Sequence, residues 1–187
     1  MRYYFSIPKQ EIVQLKKEDI DEFLELMELC FLHCWESQGI DYIQAKENLL
    51  KLCSLKSIIS MKLRNIEIIT FLLKEENKIV SATSLEINKQ IGTICNVMTH
   101  PDHRRKGFAK KLLSHTIDFA QKRKLKEITL EVHSKNISAI NLYKRKNFQV
   151  KKIGLIKPLN SNVGKMLSNN FSFNNKKEMI HMQKKLT

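Results

Sequence analysis

The chain of 187 residues carries 33 Lys plus Arg against 19 Asp plus Glu, for a formal charge of +14, with 42% hydrophobic residues and only 5 Gly and 3 Pro. That length suits one domain and the apolar share suffices for one core, which excludes a wholly disordered, collagen-like or linker-like polymer. No long internal period recurs, so repeat architectures are excluded too.

Ile12, Val13 and Leu15 predict a short first strand. A helix follows from about Asp19 to Gln38, stopped by Gly39. Ile20, Phe23, Leu24, Met27, Cys30, Phe31 and Cys34 recur at helical spacing, while Asp21, Glu22, Glu25, Glu28 and Glu36 make the opposite side polar. Asp19 followed by Glu22 reads as its N-terminal cap. The spacing predicts a second helix over about 43–55, then strands over 66–73, 78–87 and 92–98 joined by polar turns. A long basic helix over 106–124 buries Phe108, Leu112, Ile117 and Ala120. A strand at 126–132, a helix at 138–146 and strands at 148–153 and 179–182 complete the series. Residues 154–177, rich in Asn, Ser and Lys, read as a polar loop rather than a domain boundary, because only one strand lies beyond them. The order predicts one α/β domain over residues 1–187, a mixed sheet with helices on both faces.

The opening residues MRYYFSIPKQEIVQL lack the apolar run of a signal peptide, and no later window approaches the length of a membrane span. The expectation is a cytoplasmic protein with no membrane partner. Cys30, Cys34, Cys53 and Cys95 then read as reduced thiols, and Cys30 and Cys34 beside His33 as core packing rather than a metal site. No metal is called for.

Charge is unevenly distributed. Residues 1–90 carry 12 basic and 14 acidic side chains, residues 91–150 carry 13 and 4, and residues 151–187 carry 8 and 1. The positive field lies wholly in the second half, where nucleic acid or a phosphate-rich cofactor would settle. Between Val97 and Leu113 a strand passes through Pro101 into Arg104-Arg105-Lys106-Gly107-Phe108-Ala109 and straight into a helix. Free N–H groups and the dipole at a helix start favour an anion. Gly107 lets the backbone approach a pyrophosphate, Ala109 does not obstruct it, and Arg104, Arg105, Lys106, Lys110 and Lys111 supply charge. A dinucleotide fingerprint fails for want of its third glycine, and a Walker loop for want of Gly-Lys-Ser/Thr.

This segment resembles the acetyl-CoA loop of the GCN5-related N-acetyltransferase (GNAT) superfamily, R/Q-x-x-G-x-G/A, through Arg104, Gly107 and Ala109. The downstream run LEVHSKNISAINLYKRKNF at 130–148 is similar to the superfamily's second signature, with Asn136, Ala139, Leu142, Tyr143 and Phe148 in place. Leu130-Glu131-Val132, then Asn136 and Leu142-Tyr143, look most like the ribosomal-protein and protein N-terminal acetyltransferase branch. The resemblance implies a central mixed, mostly antiparallel sheet of about seven strands, splayed at the acetyl-CoA site. It implies acetyl-CoA as co-substrate, held by the backbone of Val97, Met98 and Thr99, by Arg104, Arg105, Lys106, Gly107, Phe108, Ala109 and Lys110, and by Asn136, which can also cap the next helix. It makes Glu131 the general base and Tyr143 the general acid. The family's glycine before the signature phenylalanine is Asn147 here, a residue that tolerates positive φ.

The chemistry agrees. An amine is mostly protonated near neutral pH and attacks a thioester only through its lone pair, so a nearby carboxylate accepts the proton. Alternation puts Ile128, Leu130 and Val132 on one face and Thr129, Glu131 and His133 on the other, with His133 a substitute base. A phenol at Tyr143 would protonate the departing thiolate, and an N–H from Val97 or Met98 would serve the oxyanion. Cys95 reads as packing rather than as an acyl carrier. The expected acceptor is a primary amine, the α-amine of a protein or peptide, rimmed by Trp35 to Tyr42 and by the 154–177 loop. The alternatives are a small-molecule amine acetyltransferase, a nucleic-acid-binding module and an inactive acyl-CoA sensor.

Overall fold

The computed structural model describes residues 8–36, 67–154 and 179–186. Among the described residues, alternating segments at the edges and largely buried runs at the centre build seven strands: β1 (Gln10–Gln14), β2 (Glu67–Glu75), β3 (Lys78–Asn88), β4 (Ile91–Thr99), β5 (Glu127–His133), β6 (Gln149–Gly154) and β7 (Met179–Lys185). Stretches of helical period supply α1 (Ile20–Glu36), α2 (Phe108–Lys122) and α3 (Ile137–Arg145). The strands form one sheet in the order β1-β2-β3-β4-β5-β7-β6. Every neighbouring pair is antiparallel except β4 and β5, which run parallel across the α2 crossover. The expected mixed, mostly antiparallel sheet is therefore present. The helix expected at 43–55, the stop at Gly39, Cys53, the rim beyond Glu36, the loop beyond Gly154 and the side chains of Phe31, His33, Cys34 and Trp35 lie outside the described residues.

Two apolar clusters cover the two faces. Phe108, Leu112, Leu113 and Ile117 of α2, with Ile140 and Tyr143 of α3, pack on Leu73, Leu85, Ile94 and Leu130. On the other face Phe23, Leu26 and Met27 of α1 pack on Leu72, Ile79, Ala82 and Met98. The four positions expected to be buried on the basic helix are all buried, joined by Leu113 and Thr116. On α1 the reading needs correction: Ile20 is 42% exposed at the start of the helix, and Leu26 takes a core position instead.

The cap expected at Asp19 and Glu22 is also corrected. A 3-10 turn over Lys17–Asp19 precedes α1. Asp19 Oδ2 accepts from the N–H of Lys16 at 3.0 Å, and its Oδ1 accepts from Lys74 Nζ at 2.6 Å. Glu22 Oε1 accepts from the N–H of Ile79 at 2.7 Å. Both carboxylates reach beyond their own elements because β2 and β3 offer a partly shielded ammonium and a strand N–H. They fasten α1 to the sheet.

Candidate active site

The pairing of β4 with β5 runs only from Ile91–Glu127 to Ile94–Leu130. Both strands continue past it, to Thr99 and His133, and the sheet forks. A bulge begins the divergence. Ser84 pairs with Cys95 and Ala82 with Met98, so Thr83 of β3 faces both Asn96 and Val97. Asn96 takes a φ of 52°, which asparagine tolerates better than most residues. The extra residue resets the alternation, so that Val97 packs with the core under α2 and Met98 with the core under α1.

Past the bulge, the N–H of His100 donates to the Val80 carbonyl at 2.9 Å, and the Met98 carbonyl accepts from Ser81 Oγ at 2.5 Å. The pleat therefore turns the backbone groups of Thr99, between them, away from β3 and toward the fork. The Thr99 carbonyl accepts from Arg104 Nε and from Cys30 Sγ, each at 3.4 Å.

The end of β4 leads directly into the expected anion loop. A 3-10 turn at Pro101–His103 sets its direction, and residues 104–107 are exposed. Arg105 and Gly107 both adopt positive φ, 68° and 85°, so the loop turns through two left-handed positions before α2 begins. Such turns collect N–H groups on one side and form anion-binding concavities. Gly107 is the N-cap of α2, with no side chain competing for the helix N–H groups and no acidic residue in the first turn. A Cβ there would meet nothing within 4 Å, so its glycine is required by backbone conformation rather than crowding. Buried Phe108 anchors the helix start, while Ala109 is half-buried and Lys110 and Lys111 are exposed. A phosphate-rich group fits this cradle.

On β5, Ile128, Leu130 and Val132 are buried under α2 and α3 as alternation requires. Thr129, Glu131 and His133 take the α1 face. Glu131 is half-buried, one residue past the last β4–β5 pair and directly opposite His181 of β7. Thr129 bonds Thr93 across the seam at 3.2 Å, and His133 Nδ1 accepts from the N–H of Lys135 at 3.2 Å. Tyr143 is buried in the opposite cluster, its ring edge-on to Phe148 at 6.0 Å, and burial pushes its phenol up to about 12. Glu131 thus lies just past the β4–β5 pairing on the α1 face, and Tyr143 lies in the core on the opposite face of the sheet.

Asn136 caps α3, its Oδ1 accepting from the N–H of Ala139 at 3.1 Å, and Asn147 holds the expected positive φ at 63°. Burial, then the Glu86 carboxylate, pushes the half-buried Cys95 thiol up to about 12, which keeps it protonated and unfit as a nucleophile. Among the described residues, no group of three or more His, Cys, Asp or Glu could hold a metal ion, and no helix is long and apolar enough to cross a membrane. The sequence reading missed Asn96 and His181. An asparagine inside a strand is a signal for the first; nothing local marks the second.

The model of the acetyltransferase (GNAT) family matches residues 20–148. The [ribosomal protein bS18]-alanine N-acetyltransferase of Escherichia coli strain K12 is 31% identical over 80 residues, 43% of this chain and 54% of that enzyme. The chain thus spans about half the length of that curated relative. Streptothricin acetyltransferase of Streptomyces lavendulae is 37% identical over 68 residues, 36% of each chain. The structure of the PaiA N-acetyltransferase from Thermoplasma acidophilum, solved with coenzyme A, superposes with a TM-score of 0.67 at 18% identity, covering 95% of this chain and 99% of that one. With the fork, the anion loop and a family model over more than half its length, the chain belongs to the GNAT family of acetyltransferases.

Proposed function

We propose that this protein moves an acetyl group from acetyl-CoA to the α-amine of a protein or peptide by direct attack. The observation that carries the reading is the fork: an anion loop at its open end, a carboxylate on one face and a buried phenol on the other. A thioester in the gap would meet the amine from the Glu131 side and release sulfur toward the Tyr143 side. Acetyl-CoA supplies an acyl group already activated as a thioester.

In this reading Arg104, Arg105, Lys106 and Lys110, with the N–H groups from Gly107 through Ala109, hold the diphosphate. Val97, Met98 and Thr99 present backbone to the pantetheine arm, with Asn136 beside it. Of these three, Thr99 has its backbone groups aimed into the fork, whereas the Met98 carbonyl is taken by Ser81. Glu131 takes the proton from the incoming ammonium, directly or through water, and so frees the lone pair that attacks the thioester. Tyr143 remains protonated through the working range because burial holds it near 12. It is in the state required to donate to the departing sulfur. An ordinary thiol ionises near about 8.5, so complete transfer of the phenol proton is uphill, and Tyr143 serves by hydrogen bonding more than by losing its proton.

The name of the bS18-alanine relative supports a protein α-amine as acceptor, and that of the streptothricin relative supports a small-molecule amine. Incubation of the protein with acetyl-CoA and paired peptides decides between them by mass spectrometry. One peptide carries a free α-amine, the other a blocked terminus and a free lysine, and small amines run in parallel. Labelling confined to the free terminus is the expected result. Labelling of small amines alone overturns the peptide assignment.

A further inference from the structure

A side-chain network reaches the anion loop from the β1–β2 end of the sheet. Glu75, the last residue of β2, pairs in register with Gln10 of β1 and divides its carboxylate between two partners. Its Oε1 accepts from Gln10 Nε2 at 3.0 Å, and its Oε2 lies 3.1 Å from His103 Nδ1. Gln10 Oε1 in turn accepts from Lys111 Nζ of α2 at 3.2 Å. His103 is the last residue of the 3-10 turn, immediately before Arg104. Its ring stacks on Phe108 at the start of α2, with centroids 6.1 Å apart and planes 29° apart. The ring of His100 meets it edge-on at 5.5 Å. The two paired side chains are well shielded, with 12% of Glu75 and 27% of His103 exposed.

We propose that Glu75 and His103 act as one positioning pair that sets the anion loop for coenzyme binding. The proposal deepens the reading of that loop as the acetyl-CoA site and rests on it. The loop is exposed over residues 104–107 and carries two left-handed residues, so little within it fixes its place. His103 supplies the anchor: its ring is wedged between Phe108 and His100, while its buried Nδ1, which completes no hydrogen bond among the described residues, lies 3.1 Å from a Glu75 carboxylate oxygen held by Gln10 and the sheet. Arg104 follows directly and is tied back to the Thr99 carbonyl. Glu75 also brings a negative charge toward an anion site, which by itself disfavours a diphosphate. Its presence there makes sense when its service to His103 outweighs that repulsion, which is weakened over distance by salt. The sign of a single substitution separates the two effects.

The test is coenzyme A affinity by calorimetry on the full chain, with steady-state kinetics alongside. Glu75→Gln and His103→Phe, which retains a ring against Phe108, are each expected to weaken coenzyme A binding roughly three- to tenfold, with kcat at saturating acetyl-CoA within about twofold of the parent. The double variant is expected to lose no more than either single one, because the residues act as a pair. Glu67→Gln, which breaks the remote contact with Arg123, serves as the control and leaves affinity unchanged. Tighter binding by Glu75→Gln, additive losses in the double variant, or a fall in kcat at constant affinity overturns the pair. Failure of the parent protein to bind coenzyme A overturns the site as well, a result distinct from normal binding in parent and variants alike, which overturns only the pairing.

Discussion

Glu131 and His181 stand directly opposite each other on β5 and β7, so both side chains rise from the α1 face of the sheet. Burial holds the His181 imidazole below its ordinary value, against a smaller upward pull from the Glu127 carboxylate. A depressed imidazole favours folding in its neutral form. That stabilisation is complete above the ordinary histidine range, about pH 6.5, and is lost as pH falls below it and the unfolded chain takes up the proton first. The melting temperature is therefore expected to fall as pH drops below about 6.5, and His181→Gln to flatten that fall. Equal slopes in parent and variant, measured by thermal melts, would falsify the assignment.

Turnover should depend on Glu131 and Tyr143 without affecting coenzyme A binding. Glu131→Gln is expected to lower kcat by about 10²- to 10⁴-fold, the usual range for a positioned base. Tyr143→Phe keeps the buried ring and removes the hydroxyl, so it should lose turnover while folding normally. Because the phenol is held near 12, the rate should show no alkaline fall from Tyr143 through about pH 10. Calorimetry with coenzyme A beside the kinetics checks both; loss of binding in either variant removes the assigned role.

Gly107 and Asn147 both take left-handed backbone but carry different residues and should respond differently. Gly107, with a φ of 85°, has open space around it, so Gly107→Ala costs backbone energy alone, about 1–2 kcal/mol. Asn147→Gly should be neutral or stabilising by a few tenths, while Asn147→Ala should cost about 1 kcal/mol. Urea midpoints for the three variants give the comparison, and an alanine tolerated at both positions contradicts it.

The Asp19–Lys74 pair should be among the costly ones to break. Asp19 is only 5% exposed, so Asp19→Asn leaves a shielded ammonium without its charge partner, at about 3 kcal/mol. The hydrogen bond from Lys74 holds the Asp19 carboxyl below its ordinary value despite burial, and the Lys16 N–H adds to this. The folded state therefore gains from the ionised form above about pH 4 and loses that gain as pH falls further. Acid titration of the denaturation midpoint should show a steeper drop in the parent than in Asp19→Asn.

Elements whose signal is periodic were legible. Phe108, Leu112, Ile117 and Ala120 are one helical stripe, and the β5 alternation placed Glu131 opposite Leu130 and Val132 correctly. Ile20 and Leu26 exchanged roles because Ile20 is the first residue of the helix, at its exposed end, while Leu26 falls on the buried stripe with Phe23 and Met27. The bulge at Asn96 was not legible as such, since a single extra residue shifts register only when the partner strand is known. Glu75 and His103 are separated by 28 residues in a chain that returns through two strands, and no local pattern joins them. The fork itself came from resemblance, not composition.

The seam between β4 and β5, short as it is, divides the sheet into two unequal blocks built differently. β2, β3 and β4 form a meander of adjacent strands and need only tight turns to assemble. β5 joins them across a helix, and β7 pairs with it only after the chain has passed through α3 and β6. Contacts of greater sequence separation close later because their loop entropy must be met first. The meander should thus earn amide protection early in refolding and the seam late, so that the active-site gap takes shape at the final docking of the two blocks.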